Sequence, residues 1–237
     1  MSTFGGSDAD HHVGAASMKA ARRYGGIAAD ERMRGRREQL VDAAIEVMAR
    51  EGAGALTVRR VAAAAGLSTR FVYESFADLD ELTAAAFDAA ARELAQTVHA
   101  AVRDTPPDRH ARITAVVEAI TDFFLGQPAK GKFLSTKAYG HPGSARRRLE
   151  RSEDYVTAFA TILAGLVAGA RAEDRAVVLT ARFLVAAFGE TTTALAYGET
   201  PYARDEFVHD NVELMLGALD GLDRIAARGQ SSTSTSS

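Results

Sequence analysis

Apolar side chains recur along most of the chain every three or four residues, which is the period of an amphipathic helix. One such set comprises Leu40, Val41, Ala44, Ile45 and Met48. These side chains share one helix face, and we expect their helix to end at Glu51, before Gly52. No segment has the apolar-polar alternation of a half-buried strand, so the pattern predicts an all-α protein.

Two short helices are predicted next along the chain. The first begins after Thr57, a residue type that caps helix N-termini, and extends to Gly66. The second follows Ser68 and ends near Phe76. Two short helices joined by a turn that contains glycine have the helix-turn-helix format, in which the N-terminal end of the second helix enters the major groove of DNA.

The side chains at that end are suited to DNA. Arg70 can form two hydrogen bonds with guanine, Thr69 can contact several base edges, and Phe71 can touch a thymine methyl group. Nearby hydroxyl and guanidinium groups are suited to phosphate oxygens. The candidate DNA-contacting residues are Arg36, Arg37, Thr57, Arg59, Arg60, Ser68, Thr69, Arg70, Phe71 and Tyr73. The alternative is that Phe71 and Tyr73 are core aromatics and that the arginines form a solvated face.

Residues 36–82 resemble the N-terminal DNA-binding domain of the TetR family of bacterial transcriptional regulators. The resemblance lies in the threonine-capped helix 57–62, the turn 65–68 and the aromatic-bearing segment 72–76, followed by Leu82. It implies a regulator that binds DNA as a homodimer. One departure is Leu79, which stands where the family usually has a lysine that contacts phosphate, and a second is the pair Arg70 and Phe71, which replaces small residues.

The resemblance also implies that the remaining helices bind a small molecule and form the dimer. Candidate wall residues of a ligand cavity are the aromatics Phe87, Phe123, Phe124, Tyr155, Phe159 and Phe183, although aromatics at helical spacing also form ordinary cores. A seam suited to a partner helix comprises Val208, Val212, Met215 and Leu219. The alternative is that this seam is buried within one chain.

These inferences divide the chain into four parts. Residues 1–30 are expected to be a flexible basic leader, and residues 31–78 a three-helix DNA-binding domain with the helix-turn-helix. Residues 79–228 are expected to form a larger helical domain for ligand binding and dimerisation. Residues 229–237 are rich in serine and threonine and are expected to be a disordered tail.

Composition and charge narrow the classes of protein that remain. The chain has no cysteine, which excludes disulfide scaffolds and thiol nucleophiles. Its net charge is −3, a value that by itself argues against a nucleic-acid partner. Residues 18–75, however, hold eleven basic and seven acidic side chains, so basic charge is concentrated where DNA binding is expected.

Several functions are not expected from the motifs present. The chain has no HExxH, GxSxG, Walker or GxGxxG motif, so we expect no enzyme activity, no metal and no cofactor. No apolar core of a secretory signal follows the N-terminal basic residues, and no apolar run reaches the roughly 18 residues of a membrane span. We therefore expect a cytoplasmic protein without a membrane partner.

The function predicted from the sequence is transcriptional regulation. The chain is expected to be a repressor that binds a palindromic DNA operator as a homodimer and is released by a small apolar or aromatic effector. The alternative is a helical small-molecule-binding or protein-interaction module without operator-specific DNA binding.

Overall fold

The computed structural model describes residues 10–135, 153 and 155–233, with the backbone alone described for 10–30, 53 and 229–233. Within these ranges every regular element is a helix, which confirms the predicted all-α fold. A short 3₁₀ turn, Ala53–Ala55, follows the first helix. The helices are α1 (Asp10–Glu51), α2 (Val58–Ala64), α3 (Thr69–Ser75), α4 (Leu79–Arg103), α5 (Arg109–Gly126), α6 (Pro128–Ser135), α7 (Tyr155–Ala164), α8 (Arg175–Tyr197) and α9 (Arg204–Thr233).

Polar side chains and one glycine set the helix boundaries near the N-terminal half. The Thr57 hydroxyl accepts a hydrogen bond from the Arg60 backbone N–H at 3.3 Å, as its position predicts. Asp78 caps α4 in the same way through the Glu81 N–H, at 2.7 Å. Gly66 has a φ of +66°, and this left-handed conformation lets the chain turn between α2 and α3.

The first hydrophobic core joins the second half of α1 to α2, α3 and the first half of α4. Leu40, Val61, Val72 and Leu82 are almost completely buried in it. Phe133 of α6 closes the same core. The first half of α4 packs in the same core as the helix-turn-helix. The core is therefore continuous across the predicted domain boundary between residues 78 and 79.

A second core fills the larger part of the protein, between α5, α7, α8 and α9. Two pairs of polar contacts fix the ends of these helices. Arg204 at the start of α9 donates to both carboxylate oxygens of Asp122 on α5, each at 2.7 Å. Arg109 at the start of α5 donates to Asp223 on α9 at 2.8 Å. The long helices α5 and α9 are therefore held side by side at both ends.

The ends of the described chain differ from the sequence expectation. Helix α1 begins at Asp10, so residues 10–30, expected to be flexible, continue the first helix. Six of these 21 residues are alanine, the strongest helix former, and proline is absent. Helix α9 extends to Thr233, beyond the expected start of the tail at residue 229.

The C-terminal apolar seam lies inside the chain. Val208, Val212, Met215 and Leu219 are all buried and pack in the second core. This corrects the predicted dimer interface at these four residues and agrees with the alternative of burial within one chain. Spacing of three and four reveals a buried face but not which helix covers it.

By length and composition alone, α8 is the one helix in the described ranges that could cross a membrane. A third of its most apolar segment, 33%, is buried in the fold. The uninterrupted apolar runs in the sequence are too short to indicate this, because polar residues divide them. A core helix of a soluble protein meets the same criterion, so α8 is weak support for a membrane span.

Candidate nucleic-acid interface and ligand cavity

Helices α2 and α3 form the predicted helix-turn-helix. Val61 and Ala62 of α2 and Val72 of α3 are buried against α1. The Leu67 N–H donates to the Ala62 carbonyl at 2.9 Å, which closes the turn between the two helices. The buried side of α3 is thereby fixed, and its N-terminal residues are left at the surface.

Four predicted DNA-contacting residues are exposed at this end of α3: Ser68, Thr69, Arg70 and Tyr73. Tyr73 is 65% exposed, so it is not the core aromatic of the alternative interpretation. The apolar packing is supplied by Val72 and Phe76. The Arg70 guanidinium and the exposed aliphatic and phenolic hydroxyls at this end of α3 can form hydrogen bonds with base edges.

Arg70 has a partner within the helix. Its Nε donates to Glu74 Oε1 at 2.7 Å, one helical turn away. The Arg70 side chain is 84% exposed, and such surface pairs stabilise a helix by about 0.3–0.5 kcal/mol. Arg70 can therefore exchange Glu74 for a base at small cost. Glu74 was not among the predicted site residues, although its i, i+4 spacing from Arg70 marks the pair.

Phe71 is half-buried beneath an arginine of α1. The Arg36 Cζ lies 4.7 Å from the centroid of the Phe71 ring, a cation–π contact. This contact covers the ring and brings the Arg36 guanidinium beside α3. The predicted thymine contact of Phe71 is therefore less favoured than a role in positioning Arg36.

Arg37 holds the opposite end of α3. Its Cζ lies 3.9 Å from the centroid of the Phe76 ring, and its guanidinium donates to the Ser75 carbonyl and, at 3.4 Å, to Glu81. These contacts connect α1 to the end of α3 and the start of α4. The geometry does not favour the predicted phosphate contact at Arg37; it makes Arg37 a positioning residue for the helix-turn-helix.

The start of α2 supplies further exposed groups. The Thr57 hydroxyl caps the helix, and Arg60 forms an ion pair with Glu51 of α1. Arg59 is exposed and forms no ion pair with any residue that the structure describes. Arg59 is therefore the cation of this group that is most accessible to a phosphate.

A cavity of about 680 Å³ lies between α4, α5, α7 and α8. Among the predicted ligand-binding residues, Phe124, Tyr155 and Phe159 line it. Its walls are mainly aliphatic and aromatic, with a few hydroxyl-bearing residues from α6, α7 and α8. Its size is within the roughly 300–1,000 Å³ of small-molecule sites.

The other three predicted aromatics do not line this cavity. Phe183 is 67% exposed on the outer side of α8, so its prediction is wrong. Phe87 packs against Tyr155, with 6.4 Å between ring centroids, and lies behind the cavity wall. Phe123 is buried against Phe124, 6.2 Å away. Aromatic content locates the right helices but does not tell which side of each helix faces the cavity.

A family model described as "Bacterial regulatory proteins, tetR family" matches residues 40–86. The match covers the buried half of α1, the helix-turn-helix and the start of α4. Residues 40–86 are therefore similar to the N-terminal domain of the TetR family. TetR-family regulators are non-enzymatic DNA-binding proteins, in agreement with the motif analysis.

Curated relatives match over part of their length. The HTH-type transcriptional regulator BetI of Brucella anthropi is 32% identical over 118 residues, which are 49% of this chain and 60% of BetI. The HTH-type nicotine-responsive transcriptional repressor HdnoR of Paenarthrobacter nicotinovorans is 36% identical over 39% of this chain and 45% of HdnoR. The chain thus spans about half the length of these curated relatives.

A solved structure shares the fold over most of the chain. The transcriptional regulator FadR from Bacillus subtilis, in complex with stearoyl-CoA, superposes with a TM-score of 0.60. The superposition covers 78% of this chain and 96% of FadR, at 17% sequence identity. This likeness shows that the larger helical domain also shares the fold of FadR.

Leu79 departs from the lysine that TetR-family members usually have. In the structure it is the first residue of α4 and packs, partly buried, against the first core. The position therefore contributes apolar packing here and no charge. Among the described residues, no group of three or more His, Asp or Glu side chains could hold a metal ion.

Proposed function

We propose that this chain is a cytoplasmic repressor of the TetR family that binds a palindromic operator as a homodimer and is released by a small molecule. The exposed N-terminal end of α3, with Thr69, Arg70 and Tyr73, is the observation that carries the proposal. The buried helix-turn-helix packing holds these groups in one orientation, as direct reading of a major groove needs. The name of HdnoR includes both repression and a response to a small molecule, which supports the same function here.

The proposed dimer uses the outer faces of α8 and α9. Leu179 and Phe183 on α8 are 64% and 67% exposed, and Leu214 on α9 is 71% exposed. Gly217 lies one turn beyond Leu214, and a Cβ placed on it would meet no atom within 4 Å. Exposed apolar side chains beside a bare helix backbone fit a second copy packed closely as a four-helix bundle.

Sedimentation velocity tests this dimer. Phe183→Glu places a charge in the proposed interface, so we expect it to shift the protein from dimer to monomer at micromolar concentration. Leu125→Glu is the matched control, because Leu125 is also an exposed apolar residue, 41% exposed, but lies on α5. A Phe183→Glu protein that remains dimeric would assign the interface to another surface.

Binding to DNA that flanks the chain's own coding region tests the operator. We expect fluorescence polarisation to detect binding to a palindromic segment that weakens steeply between about 50 and 200 mM salt, because phosphate contacts release counterions. A shuffled segment of equal length should bind far more weakly. Equal binding to both segments, or none, would favour a ligand-binding or interaction module without operator recognition.

A further inference from the structure

The first helix extends well beyond the hydrophobic core that it helps to form. Among the described side chains of α1, which begin at Glu31, the first buried one is Leu40, and those of residues 31–34 are all exposed. The helix nevertheless begins at Asp10. We call residues 18–34 the basic arm; at a rise of 1.5 Å per residue, this part of α1 is about 25 Å long.

The basic arm begins beside the DNA-reading helix. Arg36 lies two residues after the arm, with its Cζ 4.7 Å from the centroid of the Phe71 ring on α3. Arg37 donates to the Ser75 carbonyl and covers the Phe76 ring at the other end of α3. Since α1 is one helix through this region, these contacts also set the direction in which the arm leaves α3.

Positive charge is concentrated on one side of the basic arm. The arm holds five basic residues and two acidic ones, Asp30 and Glu31. At 3.6 residues per turn, positions 19, 22, 23 and 34 fall within an arc of about 120°, which also includes position 37. Because Arg37 contacts α3, the basic positions continue the α3-facing side of α1 beyond its contacts with α3.

The start of α4, at the end of α3, carries the opposite charge. Asp78, Asp80 and Glu81 are exposed there, and Leu79 packs in the first core. The Glu81 N–H donates to the Asp78 carboxylate, and the Ala77 N–H donates to Glu81 Oε2, each at 2.7 Å. These carboxylates occupy backbone donors that could otherwise bind a phosphate, and they repel one. Phosphate contacts beside α3 are therefore favoured on the α1 side.

We propose that the basic arm binds the phosphate backbone of the DNA outside the base pairs that α3 reads. The inference rests on the proposed function, because the arm adds contacts to the same complex. Two arms of about 25 Å exceed the roughly 34–36 Å between the recognition helices of a dimer, so each arm lies outward along the DNA. Contacts with phosphates raise affinity and its salt dependence without selecting a sequence.

Fluorescence polarisation with operator duplexes of two lengths tests the proposal. The short duplex holds the palindrome alone. Two long duplexes add about ten base pairs at each end, in unrelated sequences, which exceeds the length of the arm at about 3.4 Å per base pair. Each duplex is titrated at 50 and 200 mM salt.

The arm variant is the full chain with Lys19→Gln, Arg22→Gln and Arg23→Gln, because glutamine forms helices about as well as lysine and arginine. The matched control changes the net charge equally but at exposed positions of the larger domain. It carries glutamine in place of Arg92, Arg103 and Arg171.

We expect wild type to bind the two long duplexes equally, and both more tightly than the short one. The arm variant should lose this difference and still bind the short duplex. If two or three phosphate contacts are lost per protomer, long-duplex affinity should fall about 10- to 40-fold less between 50 and 200 mM salt than it does for wild type. The control variant should behave as wild type, and both variants should melt at the wild-type temperature.

Three results would overturn the proposal. Equal wild-type affinity for short and long duplexes would show that the flanking DNA is not bound. An equal loss on both lengths in the arm variant would place the arm within the half-site. The same loss in the control variant would assign the effect to net charge. Failure of the proposed function is distinct, because wild type would then not bind the short duplex either.

Discussion

Separate replacement of Arg70 and Glu74 tests whether the end of α3 reads bases. In the structure Arg70 Nε is 2.7 Å from Glu74 Oε1, and the Arg70 side chain is 84% exposed. In the proposed complex Arg70 leaves Glu74 and forms two hydrogen bonds with a base. Glu74 is therefore a competitor for Arg70, and the two substitutions should change operator affinity in opposite directions.

The magnitudes follow from the two interactions. Arg70→Ala should cost about 1–3 kcal/mol per half-site, which is roughly 5- to 150-fold in affinity. Glu74→Gln removes an exposed pair worth about 0.3–0.5 kcal/mol, so operator affinity should rise about twofold per half-site. The loss of a negative charge near the phosphates acts in the same direction as the release of Arg70.

Fluorescence polarisation with the operator segment and a shuffled segment of equal length provides the measurement. Arg70→Ala should weaken the operator complex and leave the shuffled complex nearly unchanged. Equal losses on both DNAs would assign Arg70 to a phosphate. A weaker operator complex with Glu74→Gln would show that Glu74 acts in the bound state, for instance by orienting Arg70. Both variants should unfold within about 0.5 kcal/mol of wild type, because both side chains are on the surface.

Two further predictions concern α6. A Cβ on Gly131 would lie 3.1 Å from the Phe124 Cα. Gly131→Val should therefore lower the free energy of unfolding, measured in urea, by about 1–3 kcal/mol. Gly126→Ala is the control: a Cβ there meets no atom within 4 Å, so the substitution should cost less than about 1 kcal/mol. A hydrogen bond from Lys130 lowers the pKa of Glu93 below its ordinary 4.5, against the effect of burial. The Glu93–Lys130 pair therefore stabilises the folded state fully above pH 4.5, and this contribution is lost as the pH falls through the lowered pKa of Glu93. Between pH 6 and pH 3, the free energy of unfolding of wild type should fall by up to about 1 kcal/mol more than that of Glu93→Gln.

The helix-turn-helix could be predicted from sequence because its determinants are local. Thr57 caps α2 three residues from its partner N–H, and Gly66 takes the left-handed turn that its position indicates. The exposed end of α3 follows from the same short-range pattern. These features depend on residues within one or two helical turns, which a linear pattern displays directly.

The contacts that position this unit could not be predicted in the same way. Arg37 reaches Ser75 and Glu81, 38 and 44 residues along the chain, and nothing in the local pattern separates it from a phosphate-binding arginine. The seam around Met215 illustrates the same limit, because helical spacing identifies a buried face but not its neighbour. Phe183 shows the reverse case: its aromatic type and apolar neighbours predict a place in the cavity wall, but it lies on the outer face of α8.

Helix α6 connects the proposed ligand site to the DNA-binding core. Phe133 is buried in the first core beside α1 and α4, whereas its neighbours Leu134 and Ser135 line the cavity. Gly131 fits tightly against Phe124, so α6 has little freedom to move independently of α5. A ligand that fills the cavity and displaces α6 must therefore also disturb the packing of Phe133 against α1 and α4. Release from DNA further requires that the ligand bind this disturbed arrangement more tightly than the DNA-bound one, because equal affinity for both would shift neither population.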